Sequence, residues 1–386
     1  MKSATYKIRG LAWGLSLALG LTAACGPQAS GHTESTTTPT HSTTSQTTEP
    51  ITTLPATEDQ ELQRYNASFL QLFDTLTQVI GYAEDEDSFR QQVADLKQDL
   101  QEYHELYDIF QEYEGVTNFK TINDHAGQGP LEVDERIIDL LELSLEMYDA
   151  TDGMFNIAMG SVLELWHDAR EHAGYNPEDA YVPDLEALQA ANKHTSIDDL
   201  IIDREALTVE LLDPEMSLDV GAIAKGYAVE QAALLAEARG VEHMLISVGG
   251  NVRAIGGRGS LSEPWRVSIR NPNEAEQEDK PNLTILNLTQ ASLVTSGVYE
   301  RYYMIDGERY HHIIDPVSLV PENHYLSVSI VTPDSGLADA ITTALFNWTV
   351  EEGLAFIETM DDTEAIWVLN DGTEITSPGF RALEAN

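Results

Sequence analysis

Apolar positions recur at helical spacing in several stretches of the chain. From 84 to 111, Phe89, Val93, Leu96, Leu100, Tyr103 and Tyr107 return every three or four residues, which predicts an amphipathic helix. Residues 137–148 (IIDLLELSLEMY) predict a second. Residues 183–191, 227–239, 337–347 and 351–360 predict four more. Between them lie short β-rich runs at 207–212, 243–249, 265–271, 291–297, 325–331 and 364–369. Several are joined by short loops, as in antiparallel pairs, and helices and strands do not alternate strictly. The expected fold is α+β, a mixed and largely antiparallel sheet core flanked by helices. No repeat of fixed period is visible.

The N-terminal end has a different pattern. Lys2, Lys7 and Arg9 precede an apolar run, Leu11 to Leu21, too short for a stable membrane span. Thr22, Ala23 and Ala24 then lead to Cys25, the chain's one cysteine. This reads as a signal peptide over 1–24 with a lipidated Cys25. Leu21 stands four residues before the cysteine, one more than a standard lipobox has, so an ordinary secretory signal is the alternative. With one cysteine, neither a disulfide within the chain nor a thiolate metal site is available.

Residues 25–57 are rich in Thr, Ser and Pro and nearly free of apolar side chains. Such a segment cannot bury enough surface to offset its ordering entropy, and as a coil it would reach roughly 30 Å. The expected organisation is signal 1–24, tether 25–57 and a domain over 58–386, large enough for a sizeable core. The expected location is outside the cytoplasm, held to the cell membrane by lipid alone.

Charge narrows the partners. The chain has 65 acidic residues against 21 Lys and Arg, a formal charge of −44. That field disfavours nucleic acid and anionic lipid. An anionic small-molecule substrate would need a metal ion or a few placed cations. Most of the charge also reads simply as a solubility feature of an exported protein.

Four segments concentrate Gly, Asp, His and hydroxyl residues. Leu218 to Tyr227 (LDVGAIAKGY) turns from a strand into a helix, with Lys225 near a helix N-terminus that favours anions. It matches neither the Walker nor the dinucleotide-binding spacing, and taken alone also fits a plain turn. Ser247 to Gly257 contains two glycine pairs and reads alone as a turn. Thr295-Ser296-Gly297, Arg301 and His311-His312-Ile313-Ile314-Asp315-Pro316 offer a His312 that Asp315 could orient as a general base. Chance proximity in a chain with 11 His explains that pairing equally well. Asp339 and Thr343 lie i, i+4 on a helix, so a carboxylate and a hydroxyl share one face. Such hard oxygens suit Mg²⁺, while a solvent-facing Asp and a back-bonded Thr are the alternative.

Taken in order, these motifs resemble the ApbE-type FAD:protein FMN transferases. The resemblance rests on SLDVGAIAKGYAV, SVGGN, TSGxYER, HHIIDP and ADAITTAL. It rests also on DGMFN at 152–156, followed by Leu163-Glu164-Leu165-Trp166. It runs from about Phe73 to the last predicted strand.

The resemblance implies FAD as substrate and Mg²⁺ as cofactor. It implies a metal site from the Ala222 carbonyl, Asp339 and Thr343, with Thr342 beside them. Asp219, Lys225, Met154, Phe155, Asn156 and Ile313 would contact the cofactor, as would Phe73 and Tyr113. His312 would be the base. The implied reaction is attack by a Thr or Ser hydroxyl of an exported acceptor protein on the FMN-side phosphorus, releasing AMP. The competing readings are an FAD pyrophosphatase that uses water and a non-catalytic flavin-binding lipoprotein. This chain lacks the Ser/Thr-Gly-Ala-Ser/Thr stretch that the family flavinylates, so self-modification is not expected. It departs from the family pattern at Asn156, often Asp, at Val317-Ser318-Leu319, often Arg-Thr-Gly, and at Phe73-Asp74-Thr75, in place of Met-Gly-Thr.

Overall fold

A computed structural model describes residues 62–273 and 278–385. Cys25, the predicted signal and the whole tether lie outside the described residues. The chain opens with a hairpin, β1 (Gln63–Leu72) and β2 (Thr75–Ala83), then α1 (Glu86–Tyr107), α2 (Phe119–Asp124) and β3 (Leu131–Glu132). Next come α3 (Glu135–Ala150), α4 (Gly160–Tyr175), α5 (Leu185–Ala191), β4 (Leu200–Asp203), β5 (Thr208–Leu211) and α6 (Ala224–Ala238). Strands follow: β6 (Met244–Val248), β7 (Asn251–Ile255), β8 (Trp265–Arg270), β9 (Asn282–Leu288), β10 (Ala291–Gly297), β11 (Tyr302–Ile305), β12 (Glu308–His311) and β13 (Tyr325–Thr332). The chain ends with α7 (Ser335–Asn347), α8 (Val350–Ile357), β14 (Glu364–Leu369) and β15 (Glu374–Thr376).

An eight-stranded sheet, ordered β1-β2-β6-β7-β10-β13-β14-β15, forms the centre, and every pair in it is antiparallel. Its two faces are treated differently. Val79, Ile246, Val248, Val294, Val328 and Ile330 point into the main core with α1, α3, α6 and α7. On the other face Val252, Ala254, Leu293, Val331 and Ile366 pack under the β8–β9 hairpin through Val267, Ile269, Leu286 and Leu288. A third cluster, around Val162, Trp166, Tyr303 and Leu319, joins α4 to β11 and the following loop.

The six helices and six strands expected from periodicity are present, with ends shifted by up to four residues. The β1–β2 hairpin and α4 went unread. Among the described residues, no helix is long and apolar enough to cross a membrane.

Local signals explain the elements that carry the site. Asp334 caps α7 through bonds from the Gly336 and Leu337 amides. No side chain caps α6, and Ile223 occupies the cap position. The Ala224 amide donates back to Val220, and the Gly226 amide is left to a group from another helix.

Candidate functional site

Helices α6 and α7 cross where α6 begins. A Cβ on Gly226 would lie 2.2 Å from the Ser335 carbonyl oxygen and 2.5 Å from the Asp339 Cβ, so only glycine permits the approach. The contact sends the Gly226 amide to Asp339 Oδ2, at 2.9 Å. In a continuing helix that amide would donate to the carbonyl four residues back, Ala222. The Ala222 carbonyl is left without a backbone donor among the described residues.

Asp339 is buried at 6% exposure, and Lys225 Nζ lies 3.5 Å from the same Oδ2. Its Oδ1 has no partner among the described residues, nor does the half-buried Thr343 hydroxyl. Ala222, Asp339 and Thr343 thus leave three oxygens uncommitted at one helix crossing. One carboxylate, one hydroxyl and one carbonyl form a hard set that fits Mg²⁺. Among the described residues no group of three His, Cys, Asp or Glu side chains is placed to hold a metal.

Thr342 is different. Its buried hydroxyl donates to the Asp339 carbonyl at 2.8 Å and accepts from Ser296 Oγ at 3.0 Å. It braces α7 against β10 and faces away from the open oxygens.

The bend before α6 is clamped from both sides. Asn123 bonds both the Leu218 carbonyl, at 2.9 Å, and the Leu218 amide, at 2.8 Å. The Asp219 amide donates to Ile157, and Asp219 Oδ1 accepts from Gly221 at 2.8 Å. Asp219 Oδ2 lies 3.7 Å from His167 Nε2 on α4.

Two residues absent from the sequence reading, His167 and Arg170, therefore join the site, beside Arg301 of the third segment. Burial holds the His167 imidazole below its ordinary value, against the pull of Asp219, and the Arg170 and Arg301 charges push it the same way. Arg170 is half-buried and its guanidinium is also held down, by burial first and by Arg301 second. Neither arginine forms an ion pair among the described residues. In a chain with a threefold excess of acids, two unpaired cations near one another mark a place arranged for an anion.

His312 adjoins Arg301. Its amide and its Nδ1 both reach the Arg301 carbonyl, at 3.0 and 3.2 Å. Donation to a carbonyl puts the proton on Nδ1 and leaves Nε2 bare. Burial, then the charges of Arg301, His311, Arg170 and Lys225, lower the imidazole to about 3, so it is neutral at pH 7. The expected orientation by Asp315 is not what the structure shows. Asp315 Oδ1 accepts from the Val317 and Ser318 amides in a tight turn, and a carbonyl orients the ring instead.

The other predicted contacts divide. Phe73 sits at the tip of the β1–β2 hairpin in the left-handed region, with φ 52°. Its ring meets His104 edge-on at 5.3 Å, and His104 meets Tyr113 in the same way at 6.2 Å. Tyr113 donates to Asp108 Oδ2 at 2.8 Å. These residues make an aromatic corner with polar edges, which suits a planar ring system. Met154 is half-buried, whereas the Phe155 side chain is at 1% exposure inside the main core, so it packs the core and does not line an open pocket.

Asn156 is spent on local structure. Its oxygen accepts from Ala158 at 2.8 Å and its amide group donates to the Thr195 carbonyl at 3.2 Å. An Asp there could not make the second bond. Ile313 is buried, and its amide donates to His311 Nδ1 at 3.2 Å.

The fold and site define a class: an antiparallel α+β protein that brings uncommitted oxygens and a group of cations to the start of one helix. The sequence profile described as the ApbE family matches residues 73–367, and the chain belongs to that family. It is 35% identical over 257 residues to an FAD:protein FMN transferase of Klebsiella pneumoniae (strain 342), covering 66% of this chain and 76% of that one. A Treponema pallidum (strain Nichols) protein of the same name is 32% identical over 296 residues, covering 72% and 79%. The crystal structure of the ApbE protein of Thermotoga maritima superposes with a TM-score of 0.73 at 28% identity, covering 84% of this chain and all of that one.

Proposed function

We propose that this protein is an enzyme that transfers the FMN moiety of FAD to a Thr or Ser hydroxyl of an acceptor protein, with Mg²⁺ bound at Ala222, Asp339 and Thr343. The observation that carries the reading is the Gly226–Asp339 contact, which exposes the Ala222 carbonyl beside two uncommitted side-chain oxygens. The family relatives bear the same activity in their names.

A bound Mg²⁺ there supplies charge neutralisation and orientation of the diphosphate. The chain's own groups do the rest. Lys225, Arg170 and Arg301 attract and hold the anionic substrate against the protein's negative field. Phe73, Tyr113 and Met154 receive the flavin. The bare Nε2 of His312 accepts the proton of the acceptor hydroxyl as its oxygen attacks the FMN-side phosphorus. The bond to the AMP-side oxygen breaks and AMP leaves. Proton transfer of this kind contributes roughly 10²–10⁴-fold. Positioning of the two reactants supplies much of the remainder.

The basic, apolar and small-residue sequence ending at Cys25 supports export and lipid anchoring of the enzyme, and hence an exported acceptor.

The test is incubation with FAD, Mg²⁺ and a candidate acceptor. A mass gain on the acceptor equal to FMN, with AMP released, is the expected result. Free FMN and AMP alone would make it a pyrophosphatase, and stable FAD binding without AMP a flavin carrier.

A further inference from the structure

Two motifs are only half used by the catalytic pocket. Of TSGxYER, Ser296 bonds Thr342 on α7 and the Arg301 carbonyl holds His312, while Thr295, Tyr299 and Glu300 line a separate cavity of about 640 Å³. Ser247, Gly249 and Gly250 of SVGGN line the same cavity. It lies on the sheet face opposite α6 and α7, beside the β8–β9 hairpin.

The cavity has the form of a missing strand. The hairpin covers β7, β10, β13 and β14 through its apolar side chains but leaves Gln78, Ile80, Leu245 and Ser247 of β2 and β6 as an open floor. Along one wall, five consecutive residues of β8, Arg266 to Arg270, line the space. Side chains alternate along a strand, so a consecutive run means that the backbone edge itself borders the cavity. Among the described residues β8 pairs with β9 alone, whereas the outer edge of β9 is covered by a bridge to Glu384 and a bond from Ala385. The open edge of β8 offers about 20 Å of backbone donors and acceptors over a floor of mixed polarity.

Its charge is unlike that of the rest of the protein. Among the described residues, Arg64 and Arg266 line it with Glu300, in a chain where acids outnumber Lys and Arg by 65 to 21. The Arg270 guanidinium lies over the Tyr299 ring at 5.0 Å, at the end of the groove. Two residues beyond Tyr299 is Arg301, whose carbonyl holds His312.

We propose that this groove docks an extended, acid-bearing segment of the acceptor protein, which adds as a third strand to the free edge of β8. The proposal rests on the transferase reading. Main-chain bonds to β8 supply affinity, Arg64 and Arg266 select acidic flanks, and the exit past Tyr299 leads the acceptor hydroxyl toward His312.

The experiment uses two synthetic peptides sharing a Thr-Gly-Ala-Thr core, one with an Asp-rich and one with a Lys-rich extended flank. The wild-type enzyme is expected to show a KM on the order of tenfold lower for the Asp-flanked peptide. Hydrogen exchange at the Arg266–Arg270 amides should slow when it binds. Arg266→Glu should erase the preference, and Ser247→Phe should raise KM for both peptides by filling the floor. Both variants should keep the peptide-free release of AMP from FAD.

Equal KM values in the wild type, with FMN on both peptides, overturn the groove alone. FAD splitting with FMN on neither peptide overturns the transferase reading and the groove with it. A wild-type dimer that Arg266→Glu dissociates would place a second copy of this chain in the groove and overturn the acceptor assignment.

Discussion

The Gly226 amide donates to Asp339 Oδ2 across the α6–α7 crossing, at 2.9 Å, and this single bond both joins the helices and frees the Ala222 carbonyl. An amide oxygen could accept the same bond but is a poorer ligand for a hard cation. Asp339→Asn is therefore expected to keep the fold, with an unchanged circular dichroism spectrum, and to lower FAD turnover by on the order of 10²–10³-fold. Mg²⁺-dependent AMP release at the wild-type rate would remove Asp339 from the metal site.

Gly226→Ala should behave differently. Its methyl group would have to displace the Ser335 carbonyl, 2.2 Å away, and push the helices apart. Overpacking of this kind costs about 1–3 kcal/mol. Chemical denaturation should show that loss together with a fall in activity, because the same crossing sets both.

The contrast between α7 and the β1–β2 hairpin shows what the sequence makes legible. α7 was readable because its apolar period and its Asp339/Thr343 pair follow from helical geometry alone. The structure adds that Thr342, one position off that face, is committed to β10. The hairpin was hidden because its burial inverts hydrophobicity. Leu70 and Leu76 are 62% and 43% exposed, while Thr77 is fully buried.

Arg170 was invisible for another reason. Its importance lies in having no ion-pair partner among the described residues while Arg301 stands close by, a property of the folded chain that no local spacing encodes. The HxxD spacing of His312 and Asp315 misled, since a tight turn claims the Asp carboxylate before the ring can reach it.

Glu230 and Arg253 form an ion pair beneath the sheet with 6% and 4% side-chain exposure, and Glu230 also accepts from the Ser335 amide at the start of α7. Burial pushes the Glu230 carboxyl up, against the pull of Arg253. Arg253→Met would strand that acid in the core. A loss of about 3–5 kcal/mol is expected, measurable by urea denaturation. Replacing both residues with apolar ones should recover part of it.

Arg170→Gln separates a ligand-binding role from a structural one. Removing a half-buried, unpaired cation should leave the ligand-free protein as stable as the wild type or slightly more so. The KM for FAD should rise about tenfold, the loss of one charge-assisted bond. Thermal shift with and without FAD checks both, since a structural role for Arg170 would lower the melting temperature of the free protein.

His311 makes the fold sensitive to acid. Its Nδ1 accepts from the Ile313 amide, so the proton resides on Nε2, which donates to the Glu322 carbonyl at 2.9 Å. Burial lowers the ring to about 4, from an ordinary value near 6.5. Between those values the unfolded chain binds a proton that the folded chain does not. The stabilisation from His311 is thus complete above pH 6.5 and is lost as pH falls toward 4, with His312 acting in the same direction. A second proton on Nδ1 would also face the Ile313 amide and disturb the loop that carries His312. Melting temperature should therefore fall steeply from pH 6.5 to 4. His311→Asn should start less stable and lose less over that range; a wild-type curve with the slope of the variant would show that His311 does not set the acid limit.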